Sequence, residues 1–234
     1  MRLNVLVVCE FSGIVRDAFR ARGHNAWSCD LLPCEGDWRW HWEGDVRPLL
    51  FPQHKMYLYV ERDPEGMLWE VEWDILIAHP PCTHLAVSGA RWFKDKAKEQ
   101  AEAIRFVEML WDADVPRVCI ENPVGVLPTR SKLGKATQYI QPWQFGHGET
   151  KKTGLWLRGL PPLRPTNIVD GREGRVWKMP PGPDRWKDRS RTYVGIAEAM
   201  AEQWGSLSNI SIREIEEQAN SELGRLRPPK LGLE

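Results

Sequence analysis

The amino-acid sequence predicts an α/β fold built on a doubly wound, mostly parallel sheet, and three observations near its start support this. Residues 3–9 form a short apolar, β-branched run, which is typical of a buried parallel strand. Gly13 breaks this run, and apolar residues at helical spacing follow it. A second strand then ends at Asp30, and this strand–turn–helix–strand–acid unit is a usual opening of a doubly wound sheet.

The rest of the chain continues this alternation. The first helix is predicted at 14–22, where Gly23 closes it, and the second strand at 25–30. Residues 34–70 look irregular apart from a weak strand at 56–60. Further strands are predicted at 74–78, 117–121, 137–144 and 154–157, and further helices at 95–111 and 194–204. Residues 159–190, which are rich in Pro, Gly and Arg, are expected to be mostly loop.

Composition indicates an ordinary globular protein. The chain has 234 residues, of which 42% are hydrophobic and 27% charged, enough for one full-sized α/β domain. No apolar run approaches the roughly 20 residues of a membrane span, and the first residues lack the regions of a signal peptide. The five cysteines are odd in number and widely spread, which is typical of free thiols in a reducing compartment. We therefore expect a cytoplasmic protein without a membrane segment.

Charge is unevenly distributed along a chain whose net charge is zero. Fourteen Lys and Arg residues but only five Asp and Glu residues lie between Arg130 and Arg191. A basic region within a neutral chain is typical of contact with nucleic acid, although such imbalance also arises by drift. The thirteen Trp residues fit either base stacking or an ordinary core.

Chemically useful residues follow several predicted strands, at the edge where an open α/β sheet holds its ligands. Gly13 in the first turn lets a ligand approach the backbone, although many turns of this kind contain one glycine. Asp30, at the end of the second strand, is placed to accept hydrogen bonds from ribose hydroxyls. Asp45, after the next short segment, is a candidate acceptor for an adenine amino group. Either acid alone is more often simply solvated.

The next two strand ends carry a cysteine and a glutamate. Pro80 and Pro81 fix the backbone before Cys82, so that its thiol is presented rigidly. Glu121 ends the following strand, and adjacent parallel strands bring the two groups within the width of one substrate. A thiol nucleophile beside a carboxyl acid suits addition to an electron-poor ring. Zinc binding by His79, Cys82 and His84 is not expected, because no second ligand cluster accompanies them, and we predict no metal site.

Taken in order, these motifs resemble those of the DNA cytosine-5 methyltransferases. They are Phe11-Ser12-Gly13, Asp30, Gly44-Asp45-Val46, Pro81-Cys82, Glu121-Asn122 and the final helix. The resemblance covers residues 4–158 and 190–204, and the Pro-Cys and Glu-Asn pairs are its most specific part. It implies a Rossmann-like S-adenosylmethionine-dependent methyltransferase fold, DNA as the partner, and a compact member of the kind associated with bacteriophage and prophage genomes. The location would then be the cytoplasm of a bacterial or phage-infected cell.

The resemblance also implies roles for individual residues. Cys82 would be the nucleophile, and Glu121, with Asn122 beside it, would bond the cytosine ring nitrogen. Lys151 or Lys152 would replace the arginine that binds the base oxygen, because the family's Gln-x-Arg-x-Arg motif has no literal match here. S-adenosylmethionine would contact Phe11, Ser12, Gly13, Ile14, Asp30, Leu31, Asp45, Val46, Pro80, Thr192 and Val194, with Phe11 on the adenine.

The implied domain organisation lacks a large target recognition region. The catalytic domain would comprise residues 1–158 and 190–205, and 206–234 would be a polar C-terminal tail. Between its two parts, residues 159–189 form a small basic loop whose cations would lie along phosphates. These are Arg172, Arg175, Lys178, Arg185 and Lys187, with Trp177 or Trp186 against a base. We expect a monomer.

Two alternatives stay open at this stage. A related enzyme on the same scaffold would act on RNA or a nucleotide, or use an altered cofactor group. A catalytically inactive protein would bind nucleic acid only, although the presence of both Cys82 and Glu121 argues against it.

Overall fold

The computed structural model describes residues 2–50, 57–59, 68–87 and 96–207. Its strands are β1 (Asn4–Val8), β2 (Asn25–Asp30), β3 (His41–Glu43), β4 (Tyr57–Tyr59), β5 (Leu68–Glu70), β6 (Ile75–Ala78), β7 (Arg117–Pro123), β8 (Gln138–Ile140) and β9 (Thr153–Arg158). Its helices are α1 (Ile14–Ala21), α2 (Arg47–Leu50), α3 (Ala97–Trp111), α4 (Leu127–Arg130), α5 (Arg175–Lys178), α6 (Arg185–Ser190) and α7 (Val194–Gly205). Short 3-10 helices lie at Trp38–Trp40 and Pro142–Gln144.

Seven of the strands form one mostly parallel sheet in the order β3-β2-β1-β6-β7-β9-β8. Neighbouring strands in the series β3, β2, β1, β6 and β7 are parallel to one another, whereas β9 runs antiparallel to both of its neighbours. Chain order reverses between β1 and β6, and such a switch point is where open α/β sheets form a ligand crevice at their carboxyl edge. Strands β4 and β5 pair separately as an antiparallel ribbon.

Apolar layers cover both faces of the sheet. Along β1, Val5 and Val7 belong to one layer, and Leu6 and Val8 to the other, because successive strand residues point to opposite faces. Helices α1 and α7 cover the first face, where Trp204 is fully buried. Helix α3 covers the second. Burial on both faces explains why β1 has a continuous apolar sequence rather than an alternating one.

The predicted α/β class and its opening β1–α1–β2 unit are confirmed, and the predicted strand at 56–60 contains β4. The predicted strand at 137–144 is wrong beyond β8, because Pro142 lacks an N–H and begins a 3-10 helix that Gln141 and Gln144 cap. Two short helices, α5 and α6, interrupt the predicted loop at 159–190.

Most of the predicted tail, from residue 208 onward, lies outside the described residues. Within the described ranges, no helix is long and apolar enough to cross a membrane.

Candidate active site

The turn between β1 and α1 forms the first wall of the site. Gly13 has a φ of 73°, in the left-handed region that favours glycine, and a Cβ there would collide with the Arg16 guanidinium. The buried Glu10 carboxylate accepts hydrogen bonds from the backbone N–H groups of Val15 (2.6 Å) and Arg16 (3.3 Å). Burial raises the pKa of Glu10, and the electrostatic interaction with His79 and these hydrogen bonds oppose that shift. Glu10 therefore caps the helix rather than offering a free acid.

A small open cleft lies beside this turn, with about 280 Å³ of space free of protein atoms. It is lined by Cys9, Glu10, Phe11, Ser12, His79, Ser190, Arg191 and Thr192. Of the residues predicted to bind the cofactor, Phe11, Ser12 and Thr192 thus share one cavity. Ile14 begins α1 directly after Gly13, and Val194 begins α7 with an exposed side chain.

The other predicted cofactor residues follow β2 and β3. Asp30 is half-buried, accepts a hydrogen bond from the Leu32 N–H (3.0 Å), and has its pKa raised by burial. Leu31 beside it is 76% exposed, so its side chain is available to a ligand. Asp45 is exposed and already paired with Arg47, whereas Val46 is buried in the core. The acid after β2 is therefore better prepared for a ligand than the acid after β3.

A salt bridge joins Arg191 of the cleft wall to a distant segment, and sequence analysis missed it. The Arg191 guanidinium donates to both carboxylate oxygens of Glu35, at 2.9 and 2.6 Å. The Glu35 N–H in turn donates to the carbonyl of Phe11 (2.9 Å). The Trp186 ring packs on Phe11 with a centroid distance of 5.9 Å. The segment before α7 and the loop after β2 are thereby held together over the first turn.

Cys82 and Glu121 follow adjacent strands at the same edge. Strands β6 and β7 pair in register, with Ala78 beside Ile120, so Glu121 lies one residue and Cys82 four residues beyond that pair. The Asn122 amide donates to the carbonyl of Pro80 (2.8 Å), which ties the two strand ends together. Cys82 is exposed. The predicted cysteine and glutamate therefore meet at one site.

The surroundings hold Cys82 as a thiol. Removal of water by neighbouring atoms raises the pKa of Cys82, and the Glu121 charge raises it further. The positive charges of Lys151 and Arg189 lower it, but they do not outweigh the other two effects. An unperturbed cysteine is only a few per cent thiolate at pH 7. Because the pKa of Cys82 is raised, its thiolate fraction in the resting site is smaller still.

The pKa of Glu121 is shifted in the opposite direction, below its ordinary value. Burial alone would raise the pKa of Glu121, but hydrogen bonding with His79, the charge of Lys151 and a hydrogen bond from Thr153 outweigh burial and lower it. The His79 Nδ1 atom lies 3.5 Å from Glu121 Oε2. Glu121 is therefore an ionised carboxylate at neutral pH. Sequence analysis considered His79 only as a metal ligand and missed this contact.

Of the two predicted basic residues, Lys151 is the one at the site. Its charge acts on both Cys82 and Glu121, and its Nζ donates to the carbonyl of Arg189 (3.0 Å). Lys152 points elsewhere, because its exposed side chain lies 4.6 Å from the centroid of the Tyr139 ring.

Most cations of the basic loop make contacts within the protein. Arg175 pairs with Glu149 (2.8 Å), Arg185 donates to the Met179 carbonyl (2.9 Å), and Lys187 lies 3.9 Å from Asp184. Arg172 donates to two nearby carbonyls and stacks over Trp143 at 3.9 Å. Lys178 is exposed at the end of α5. The Trp177 side chain lies outside what the structure describes. These contacts hold the loop in place while leaving cationic side chains at the surface.

Within the described part of the chain, no group of three or more His, Cys, Asp or Glu side chains is arranged to hold a metal ion.

No family model matches this chain, and no curated protein sequence matches it. Among solved structures, it is similar to a presumed DNA modification methyltransferase encoded within a prophage of E. coli, with a TM-score of 0.37 and 17% sequence identity. That similarity covers 66% of this chain and 46% of the other, so this chain spans less than half of that protein.

Proposed function

We propose that this chain is a DNA cytosine-5 methyltransferase with a Rossmann-like S-adenosylmethionine-dependent methyltransferase fold. The observation that carries the proposal is the meeting of Cys82 and Glu121 at adjacent strand ends, with the charge of Lys151 acting on both. A nucleophile, a carboxylate and a cation are the groups that covalent activation of a pyrimidine ring requires. The Cys82 and Glu121 pair was itself the most specific part of the sequence resemblance.

The residues at the carboxyl edge fit S-adenosylmethionine, which would supply the methyl group when bound. Phe11 and Thr192 line the cleft, and Asp30 offers a half-buried carboxylate for the ribose hydroxyls. Arg191, which also lines this cleft, is paired with Glu35.

The first chemical step needs a base that has left the DNA stack, at a cost of a few kcal/mol. The sulfur of Cys82 then bonds to C6 of the cytosine. Since the pKa of Cys82 is raised, its S–H bond breaks as the S–C6 bond forms, rather than beforehand. The C5–C6 electron pair moves towards C4, and N3 gains a proton. Proton loss at sulfur and proton gain at N3 balance.

Glu121 is the group that can relay this proton. An ionised carboxylate only accepts hydrogen bonds, so Glu121 is ready to take the proton of the Cys82 thiol and to pass it to N3 as charge develops there. C5, now electron-rich, would take the methyl group that S-adenosylmethionine supplies when bound, leaving S-adenosylhomocysteine. The C5 proton is then lost to water, and the N3 proton returns through Glu121 to the departing Cys82 sulfur, which restores the aromatic ring. Lys151, close to both groups, would stabilise negative charge on the base oxygen.

Methyl transfer from labelled S-adenosylmethionine to unmethylated DNA, followed by nucleoside analysis, tests the proposal. We expect label in 5-methylcytosine with the wild-type protein and none with Cys82→Ser. Parallel reactions with RNA and with free cytidine nucleotides test the alternative substrates. Label in N4-methylcytosine or N6-methyladenine, or no label in any nucleic acid, would contradict the proposed chemistry.

A further inference from the structure

His79 stands between the cleft and the catalytic carboxylate. Its ring lines the cleft, and its Nδ1 lies 3.5 Å from Glu121 Oε2. The His79 side chain is only 9% exposed, yet its other nitrogen, Nε2, has no hydrogen-bond partner among the described residues. Buried polar atoms are nearly always paired in folded proteins. A buried nitrogen without a partner, in a residue that lines a cleft, therefore points to a ligand that completes it.

The contact with Glu121 fixes which kind of partner Nε2 needs. Glu121 is ionised and can only accept a hydrogen bond, so the hydrogen on the His79 ring lies on Nδ1. In the neutral ring, Nε2 then carries a lone pair and is an acceptor. The ligand must present an N–H or O–H donor at this position.

Neighbouring groups favour a donor with positive charge. The carboxylates of Glu10 and Glu121 both interact electrostatically with His79. Asn122 adds a second buried acceptor at these strand ends, since its amide nitrogen is used by the Pro80 carbonyl and its Oδ1 has no partner in the described structure. An unpaired acceptor on a histidine that interacts with two carboxylates suits an ammonium group.

We propose that His79 is a positioning residue that accepts a hydrogen bond at Nε2 from a primary ammonium group of the cleft's ligand, while its Nδ1–H holds Glu121. The inference rests on the proposed function, in which this group is the α-ammonium of the cofactor's methionine part. His79 thereby connects the cofactor cleft to the residue that relays the proton.

The test compares two probes on three proteins. The probes are S-adenosylhomocysteine and its analogue that lacks the α-amino group, each titrated by calorimetry. The proteins are wild type, His79→Asn and His79→Gln. Asn places an amide near the position of Nδ1 and nothing at Nε2, whereas Gln extends an amide to the position of Nε2. Melting temperatures of the free proteins report whether each variant folds.

We expect wild type to prefer S-adenosylhomocysteine over the analogue by about 10-fold or more, as for a hydrogen bond to a charged group. His79→Gln should keep most of this preference, and His79→Asn should reduce it to about 2-fold or less. An Asn variant that folds and keeps the full preference overturns the role of His79 while leaving the proposed function intact. Failure of wild type to bind either probe at millimolar concentration overturns both.

Discussion

Arg191 and Glu35, which are 156 positions apart in the chain, form a bidentate salt bridge with N–O distances of 2.6 and 2.9 Å. Arg191 also lines the candidate cofactor cleft, and Glu35 is bonded through its backbone to Phe11. The bridge therefore joins a residue of the cleft wall to the loop after β2, and we expect it to influence ligand exchange.

Breaking this bridge should change ligand exchange more than stability. The two side chains are 34% and 38% exposed, and such surface pairs contribute roughly 0.2–1 kcal/mol. We expect Arg191→Gln to lower the free energy of unfolding by no more than about 1 kcal/mol, but to speed both association and dissociation of S-adenosylhomocysteine in stopped-flow measurements. Arg22→Gln, which removes the Arg22–Glu202 pair (3.7 Å) at the far end of α1, is the matched control. Equal exchange rates in wild type and Arg191→Gln would show that the bridge does not gate the cleft.

Cys82 should form a covalent adduct with its target base. DNA that contains 5-fluorocytosine should trap the wild-type protein, because fluorine cannot leave C5 as a proton does. We expect Cys82→Ser to abolish trapping on denaturing gels. Cys34→Ser, which changes a half-buried thiol outside the strand ends, should trap normally. Full trapping by Cys82→Ser would exclude this residue as the nucleophile.

Glu121→Gln should lose turnover while keeping its fold. The substitution preserves shape but removes the group that relays the proton, and loss of such a group costs roughly 10²- to 10⁴-fold in rate. We expect single-turnover methylation to slow by this factor, with an unchanged circular dichroism spectrum. Turnover within a few-fold of wild type would make the carboxylate structural.

The same substitution has an expected pH signature. Because the folded protein lowers the pKa of Glu121 below its ordinary value of 4.5, ionised Glu121 contributes stability above that pH. This contribution is lost as pH falls through 4.5 towards the folded pKa. The difference in unfolding free energy between wild type and Glu121→Gln should therefore be constant near neutrality and shift against wild type in acid.

Cofactor binding should depend more on Asp30 than on Asp45. S-adenosylhomocysteine should raise the melting temperature, since a ligand that binds only the folded state stabilises it. Asp30→Ala should weaken this shift strongly, whereas Asp45→Ala should weaken it less because Asp45 is exposed and paired with Arg47. Asp37→Ala, in the loop between β2 and β3 and paired with Arg39, serves as the control. An equal shift in all four proteins would remove both acids from the cofactor site.

Local patterns in the sequence were enough to predict the parallel strands and the residues at their ends. A strand buried on both faces must be apolar throughout, so β1 and β6 stand out, and the polar residues that follow them mark the carboxyl edge. The pairing of β6 with β7 then brings Cys82 and Glu121 together without further information. Short edge strands such as β3 were missed, because three residues carry no recognisable period.

Contacts between distant segments could not be predicted in this way. Neither the Arg191–Glu35 bridge nor the His79–Glu121 contact leaves a trace in local spacing, since each depends on how loops fold over the sheet. The pKa of Cys82 likewise depends on such contacts. Its surroundings raise that pKa, which favours an attack coupled to proton removal over a thiolate formed beforehand.

Target recognition should be short or relaxed, covering about one to three bases. The region available for it, residues 159–189, is small, and its cations largely make contacts within the protein, as in the pairing of Arg175 with Glu149. Surface cations of this kind contact phosphates, which position a protein on DNA but carry no sequence information. Trp186 packs against Phe11 and is 50% exposed, so a base can stack on its free part, but stacking tolerates every base and selects none.

Two measurements check this expectation. Bisulfite sequencing after expression in a host without DNA methylation should show modified cytosines in many contexts. Binding to unrelated duplexes should be similar in strength and should weaken steeply with salt, because each phosphate contact releases a counterion. Lys178→Ala, which removes one exposed cation at the end of α5, should weaken binding to all duplexes equally and make the salt dependence shallower. A strictly specified site of five or more bases would contradict the prediction, because phosphate contacts from so small a loop cannot select it, and a partner protein or an unrecognised base contact would then have to supply the specificity.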